Sequence, residues 1–176
     1  MPRASTDPGH VHAWTVAGGL VESTEGLLMV RNVRPGGETD WSPPGGVIDA
    51  ADPSLPDGLT REVAEETGLT VTSWEGPVYR VIADALDMGW RMTCEVHYAL
   101  EFEGAIDVAD PDGIVVDARF MDAAGCAEVL VTCARWVREP LESWMKERWS
   151  TGDSREFHYE VRGTRLDDLA VHRRAP

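Results

Sequence analysis

The clearest pattern along the chain is the alternation from Trp90 to Phe102. Trp90, Met92, Cys94, Val96, Tyr98, Leu100 and Phe102 share one parity, and Arg91, Thr93, Glu95, His97, Ala99 and Glu101 share the other. Successive side chains of a strand point to opposite faces. This pattern therefore predicts a strand with one face in the core and the other toward solvent or a cleft. Shorter strands are predicted at Ala13 to Glu22, Leu27 to Arg34 and Ile114 to Phe120, and Gly18-Gly19 invites a bend or bulge in the first. Val71 to Trp74 and Val78 to Ala83 read as two strands around a Gly76-Pro77 turn. Arg155 to Val161 alternates again, and its pattern fits either completion of the sheet or pairing across a homodimer.

Between Ser54 and Gly68 the period changes. Leu55, Leu59 and Val63 recur every fourth residue, the spacing of a buried helical stripe. Ser54 followed by Asp57 resembles a capping box, Pro56 suits a first helical turn, and Gly68 is a natural left-handed stop. Asp122 caps a second helix through Leu130, and Pro140 breaks or starts a third carrying Leu141, Trp144 and Met145. Strands with interspersed helices, without a regular βαβ ladder, predict an α/β sandwich with a mixed sheet. Residues 1–10 read as a loose lead-in, and residues 11–176 as one domain whose later helices and strand occupy 122–176.

Charge narrows the function. Sixteen Lys and Arg against 31 Asp and Glu leave a net charge of −15, which argues against a nucleic-acid polymer as partner. A small nucleotide accompanied by a divalent cation stays compatible, because the metal supplies the positive field. The three cysteines, Cys94, Cys126 and Cys133, have no metal-ligand spacing, and an odd number points to reduced thiols in a cytoplasmic protein. No apolar run is long enough to span a bilayer, so no membrane partner is expected.

The helix that begins after Ser54 carries Arg61, Glu62, Glu65 and Glu66. Residues three and four apart share a face, so Glu62 sits beside both other glutamates. Each like-charged pair costs a few tenths of a kcal/mol. Crowded carboxylates suit a hard divalent cation. Mg²⁺ takes oxygen ligands octahedrally and completes its shell with water and substrate phosphate.

With Pro44-Gly45-Gly46 ahead of it, this stretch resembles the signature of the Nudix hydrolases, which cleave a nucleoside diphosphate linked to another group. That signature reads Gly, five residues, Glu, seven residues, Arg-Glu-aliphatic-any-Glu-Glu-any-Gly-aliphatic. Gly46 opens it and Arg61 to Leu69 closes it without a mismatch. Two departures lie between: Asp52 stands for the first glutamate, and eight residues separate Asp52 from Arg61. The resemblance implies a Nudix-type α/β/α sandwich. It also implies Mg²⁺-dependent (or Mn²⁺-dependent) attack of water on a pyrophosphate, with Glu62, Glu65, Glu66 and the Gly45 carbonyl as metal ligands and Arg61 orienting a glutamate. The water's proton would go to Glu62, Glu65 or a loop carboxylate, for which Asp112 is the candidate. Arg31 and Arg91 are candidates to meet phosphates, and Trp41 to stack a base. The expected substrate is a nucleoside triphosphate, standard or oxidised. ADP-ribose or another nucleotide sugar is the alternative substrate, and a nucleotide sensor without turnover is the alternative class.

Overall fold

The computed structural model describes residues 11–164 and 169–174, so the expected lead-in lies outside the described residues. Its strands are β1 (His12–Leu20), β2 (Glu22–Ser23), β3 (Gly26–Val33), β4 (Thr39–Ser42), β5 (Thr70–Ala85), β6 (Trp90–Glu103), β7 (Val115–Met121), β8 (Arg155–Arg162) and β9 (Ala170–Arg173). Its helices are α1 (Leu55–Thr67), α2 (Ala123–Leu130) and α3 (Arg135–Glu147). A mixed five-stranded sheet runs β1-β6-β5-β8-β9, and in a smaller antiparallel sheet β3 pairs with β2 and β4 on one path and with β7 off it. β1–β6 and β5–β8 are the parallel pairs. The strand at Arg155–Arg162 completes the large sheet, with β9 antiparallel beyond it.

Helices cover both faces, which makes the α/β/α sandwich. On one side Leu59 and Val63 of α1 pack with Ala17, Val21, Leu28 and Val71. On the other, Leu130 of α2 and Leu141 and Trp144 of α3 pack with Leu20, Met29, Val96 and Tyr159. At about 1.5–3 kcal/mol for each large apolar side chain fully buried, these two layers are the main stabilising contribution.

Four local expectations are corrected. β1 passes through Gly18-Gly19 without bend or bulge, in unbroken register with β6. The glycines serve close packing instead: a Cβ on Gly19 would lie 2.7 Å from Cη2 of Trp74. Gly76-Pro77 is not a turn. β5 continues past it, and the register to β6 slips between Glu75 and Tyr79. Pro77 has no N–H to give the ladder, so the strand bulges while the long β6 template holds both halves. A second slip, between Ser73 and Trp74, lies opposite Leu100. Leu100 there is 54% exposed rather than in the core. His97, expected on an open face, is 6% exposed because it lies opposite the Gly76-Pro77 bulge, where a Cβ on Gly76 would lie 2.3 Å from its Nδ1. Pro140 neither breaks nor starts α3 but sits inside it. The lost backbone hydrogen bond costs about 3 kcal/mol in a helix interior, which burial of Leu141 and Trp144 offsets.

Candidate active site

The acidic helix is set as its sequence dictates. The Ser54 hydroxyl accepts from the Asp57 N–H at 3.3 Å, Pro56 lies in the first turn, and Gly68 closes the end. The segment before it runs along the free edge of β1. Ala17 N–H donates to the Gly46 carbonyl, Ile48 N–H to that of Thr15, and Gly19 N–H to that of Pro44. Gly45 has φ 142°, and a side chain there would strike the Ala17 carbonyl, so only glycine lets the loop lie this close to β1. The loop thereby roofs the glutamates. The Gly45 N–H donates to Glu66 Oε2 at 2.8 Å, and the Gly46 backbone lies against the Glu62 carboxylate. The resemblance gave Gly45 a role through its carbonyl; the contact observed is through its N–H.

Burial pushes the Glu66 carboxyl up to about 8, with the Gly45 N–H opposing and the negative charges of Glu62, Asp110 and Glu65 adding to the rise. Burial also raises Glu62; Arg61 works against it, and Glu65 and Asp112 reinforce it. The acidic loop that folds back after β6 thus places Asp110 and Asp112 within electrostatic reach of the helix. The two differ in role. Asp110 caps the backbone N–H groups of Asp112, Ile114 and Val115, a structural duty that its position in the sequence does not announce.

Arg61 is the hub. Nη1 donates to Glu62 Oε1 at 2.8 Å and to Glu65 Oε2 at 3.2 Å, while Nε and Nη2 donate to the two oxygens of Asp52 at 3.1 and 3.0 Å. Asp49 is 3.7 Å from Nη2, an acid the sequence reading did not assign to the site. The Arg61 hydrogen bonds hold Asp52 below the usual carboxylate range, and Asp52 in turn raises Arg61. Asp52, which stands in the place of the signature's first glutamate, thus has Arg61 as its partner.

Arg31 and Trp41 are cross-strand neighbours on β3 and β4. The Arg31 Nε is buried without a hydrogen-bond partner. The neighbouring acids are engaged elsewhere: Asp117 by Arg119, and Asp40 by Arg34 and Asn32. Arg119 lies 5.2 Å over the Trp41 ring. Arg91, the other candidate for phosphate, is tied to Asp84.

Among the described residues no group of three His, Cys, Asp or Glu side chains stands in metal-ligand geometry. The donor set nevertheless fits a hard cation. Glu66 is a buried carboxylate with one N–H for company, and three further acids bear on it.

The chain thus sets a mixed sheet between helical layers, with an acidic helix under a glycine-rich loop. The NUDIX domain family model matches residues 11–126, and the chain belongs to the Nudix hydrolases. Among solved structures, the chain is similar to the E. coli ORF135 protein at TM-score 0.63 and 18% identity, over 78% of this chain and 92% of that one. It is likewise similar to the MutT protein of Methanosarcina mazei Go1 at TM-score 0.61 and 18% identity, covering 78% of this chain and 96% of that one. The mutator MutT protein of Bacillus halodurans follows at TM-score 0.59 and 21% identity, covering 91% and 97%. At these identities the likeness is one of fold. No curated protein sequence matches the chain.

Proposed function

We propose that this Nudix hydrolase cleaves a pyrophosphate bond of a nucleoside triphosphate, standard or oxidised, using Mg²⁺ or Mn²⁺. The observation that carries the reading is Glu66 buried under the Gly45-Gly46 loop against its own charge, with Glu62 beneath Gly46 and Glu65 beside them bearing on it electrostatically. Glu62, Glu65, Glu66 and the Gly45 carbonyl would hold the metal. A divalent cation bound there neutralises the pyrophosphate and acidifies water.

The protein's own groups do the rest. Arg61 fixes Glu62 and Glu65 through charge-assisted hydrogen bonds. Glu62, raised by burial, accepts the proton of the attacking water, with Asp112 as the loop carboxylate behind it. The unpartnered Arg31 Nε suits an anionic oxygen of the substrate, and Trp41 beside it presents a surface for the nucleoside. A phosphate-release screen over nucleoside triphosphates, dinucleotides and nucleotide sugars, with and without EDTA, tests the reading. Metal-dependent turnover of triphosphates is expected. Binding without turnover across the panel would replace the hydrolase by a sensor, and turnover of nucleotide sugars alone would replace the substrate.

A further inference from the structure

We infer that the cavity behind α1 is a second binding site, one that takes a small organic cation with N–H donors. Its walls are Asp57 and Thr60 of α1, Ser73, Trp74 and Gly76 of β5, and His97 of β6. It lies apart from the glutamates. Thr60 is two residues before Glu62, which at about 3.6 residues per turn puts it on nearly the opposite side of the helix. The inference therefore stands apart from the hydrolase reading.

The cavity measures about 480 Å³, inside the range of about 300–1,000 Å³ usual for small-molecule sites. Its walls are tied together, because Trp74 Nε1 donates to Thr60 Oγ1 at 2.9 Å and fixes the indole against the helix. His97 is the unusual group. Among the described residues the hydrogen bond its ring makes runs from Nε2 to Glu95 Oε2 at 3.4 Å. The other Glu95 oxygen accepts from Arg80 Nε at 2.8 Å, so the carboxylate is an acceptor on both sides and Nε2 carries the proton. Burial holds His97 below its ordinary value, with Glu95 opposing, so near neutral pH the ring is uncharged and Nδ1 is a bare acceptor. Nδ1 has no partner. Arg31 Nε is the one fully buried side-chain nitrogen or oxygen left unpaired among the described residues, so Nδ1 opens to the cavity that His97 lines. Gly76 has no positive φ that would call for glycine, yet a Cβ there would come within 2.6 Å of His97 Cγ. Glycine at 76 serves the seating of this ring.

These groups ask for donors and positive charge. No Lys or Arg lines the cavity, so an anion would find no opposite charge there. Asp57 takes the Ser54 hydroxyl on Oδ2 at 2.6 Å and has Oδ1 left for an incoming N–H. The indole of Trp74 is the ring type that attracts cations best, and His97 Nδ1 supplies a second acceptor. The net charge of −15 favours the encounter. A guanidinium or ammonium on a short alkyl chain matches the cavity in size and chemistry.

The test is calorimetric titration of agmatine, which carries both cationic groups, in the presence of Mg²⁺ and at about 0.15 M salt to screen long-range attraction. Saturable binding of one equivalent is expected. Asp57→Asn should weaken it by about tenfold or more, the scale of a hydrogen bond to a charged group. His97→Phe, which keeps the bulk and removes the acceptor, should weaken it by about threefold to tenfold. Thermal melts accompany both variants, and Asp57 is exposed, so its variant reports whatever becomes of the His97 one. A Glu65→Gln, Glu66→Gln double variant should bind agmatine like the wild type. Absence of saturable binding, or wild-type affinity in a folded Asp57→Asn or His97→Phe protein, overturns the inference. Loss of binding in the double variant also overturns it, because the cation then sits among the glutamates.

Discussion

The backbone N–H of Gly45 faces Glu66 and donates to its Oε2 at 2.8 Å. One strand-edge loop thereby fixes the most buried acid of the site. It does so with a single neutral donor, which is too little to balance the cost of burying a carboxylate.

The pH dependence of the metal-free protein should follow from this contact. Glu66 is raised from an ordinary 4.5 to about 8, so the folded state holds a proton that the unfolded chain has released. Stability from Glu66 is then fully present below pH 4.5 and is lost as the pH rises toward 8. The loss is on the order of a few kcal/mol. In melts with EDTA the melting temperature should decline over that window, and Glu66→Gln should flatten the decline. Added Mg²⁺ should stabilise most at the upper end. A Glu66→Gln profile parallel to the wild type would remove Glu66 as the cause.

Glu65→Gln and Glu66→Gln should each lower turnover by orders of magnitude with the fold intact. Gln at 65 relieves repulsion of a few tenths of a kcal/mol but loses an Arg61 pair of similar size, and Gln at 66 replaces a group already protonated in the metal-free protein, so the melting temperature near neutral pH should change little. Steady-state hydrolysis paired with circular dichroism melts checks both halves. EDTA should abolish hydrolysis and Mg²⁺ should restore it.

Arg31→Gln should raise KM for the nucleotide by about 10- to 100-fold, the scale of a hydrogen bond to a charged group at 1.5–3 kcal/mol. The buried, unpartnered Nε predicts little cost in stability, because no protein partner is lost. An unchanged KM would leave Arg31 without a part in substrate binding.

Gly18→Ala and Gly19→Ala should separate sharply. A methyl on Gly18 meets Val96 at an ordinary 3.4 Å. On Gly19 it meets the Trp74 ring, which is pinned by its Nε1 donating to Thr60 Oγ1 at 2.9 Å. Overpacking of that kind costs about 1–3 kcal/mol. Urea unfolding of the two variants should place Gly18→Ala near the wild type and Gly19→Ala well below it.

The sequence by itself determined the pieces whose cause is local. Ser54, Pro56 and Gly68 bound α1, Asp122 caps α2 through the Gly125 N–H, and alternation placed β6 and β8. The acidic face of α1 follows from helical spacing alone, so Glu62, Glu65 and Glu66 could be read as one group before any fold was known.

Tertiary structure decided whatever depends on a partner distant in the chain. β6, paired along both halves of β5, turned the expected Gly76-Pro77 turn into a bulge, and Gly76 in that bulge lies against His97 and covers it. Packing of Leu141 and Trp144 carried α3 through Pro140. The bridge from Asp52 through Arg61 to Glu62 and Glu65 and the approach of Asp110 and Asp112 to the glutamates both need the chain to fold back on itself. Periodicity and capping are written in neighbouring residues, whereas pairing register and charge proximity exist only once separate segments share a surface.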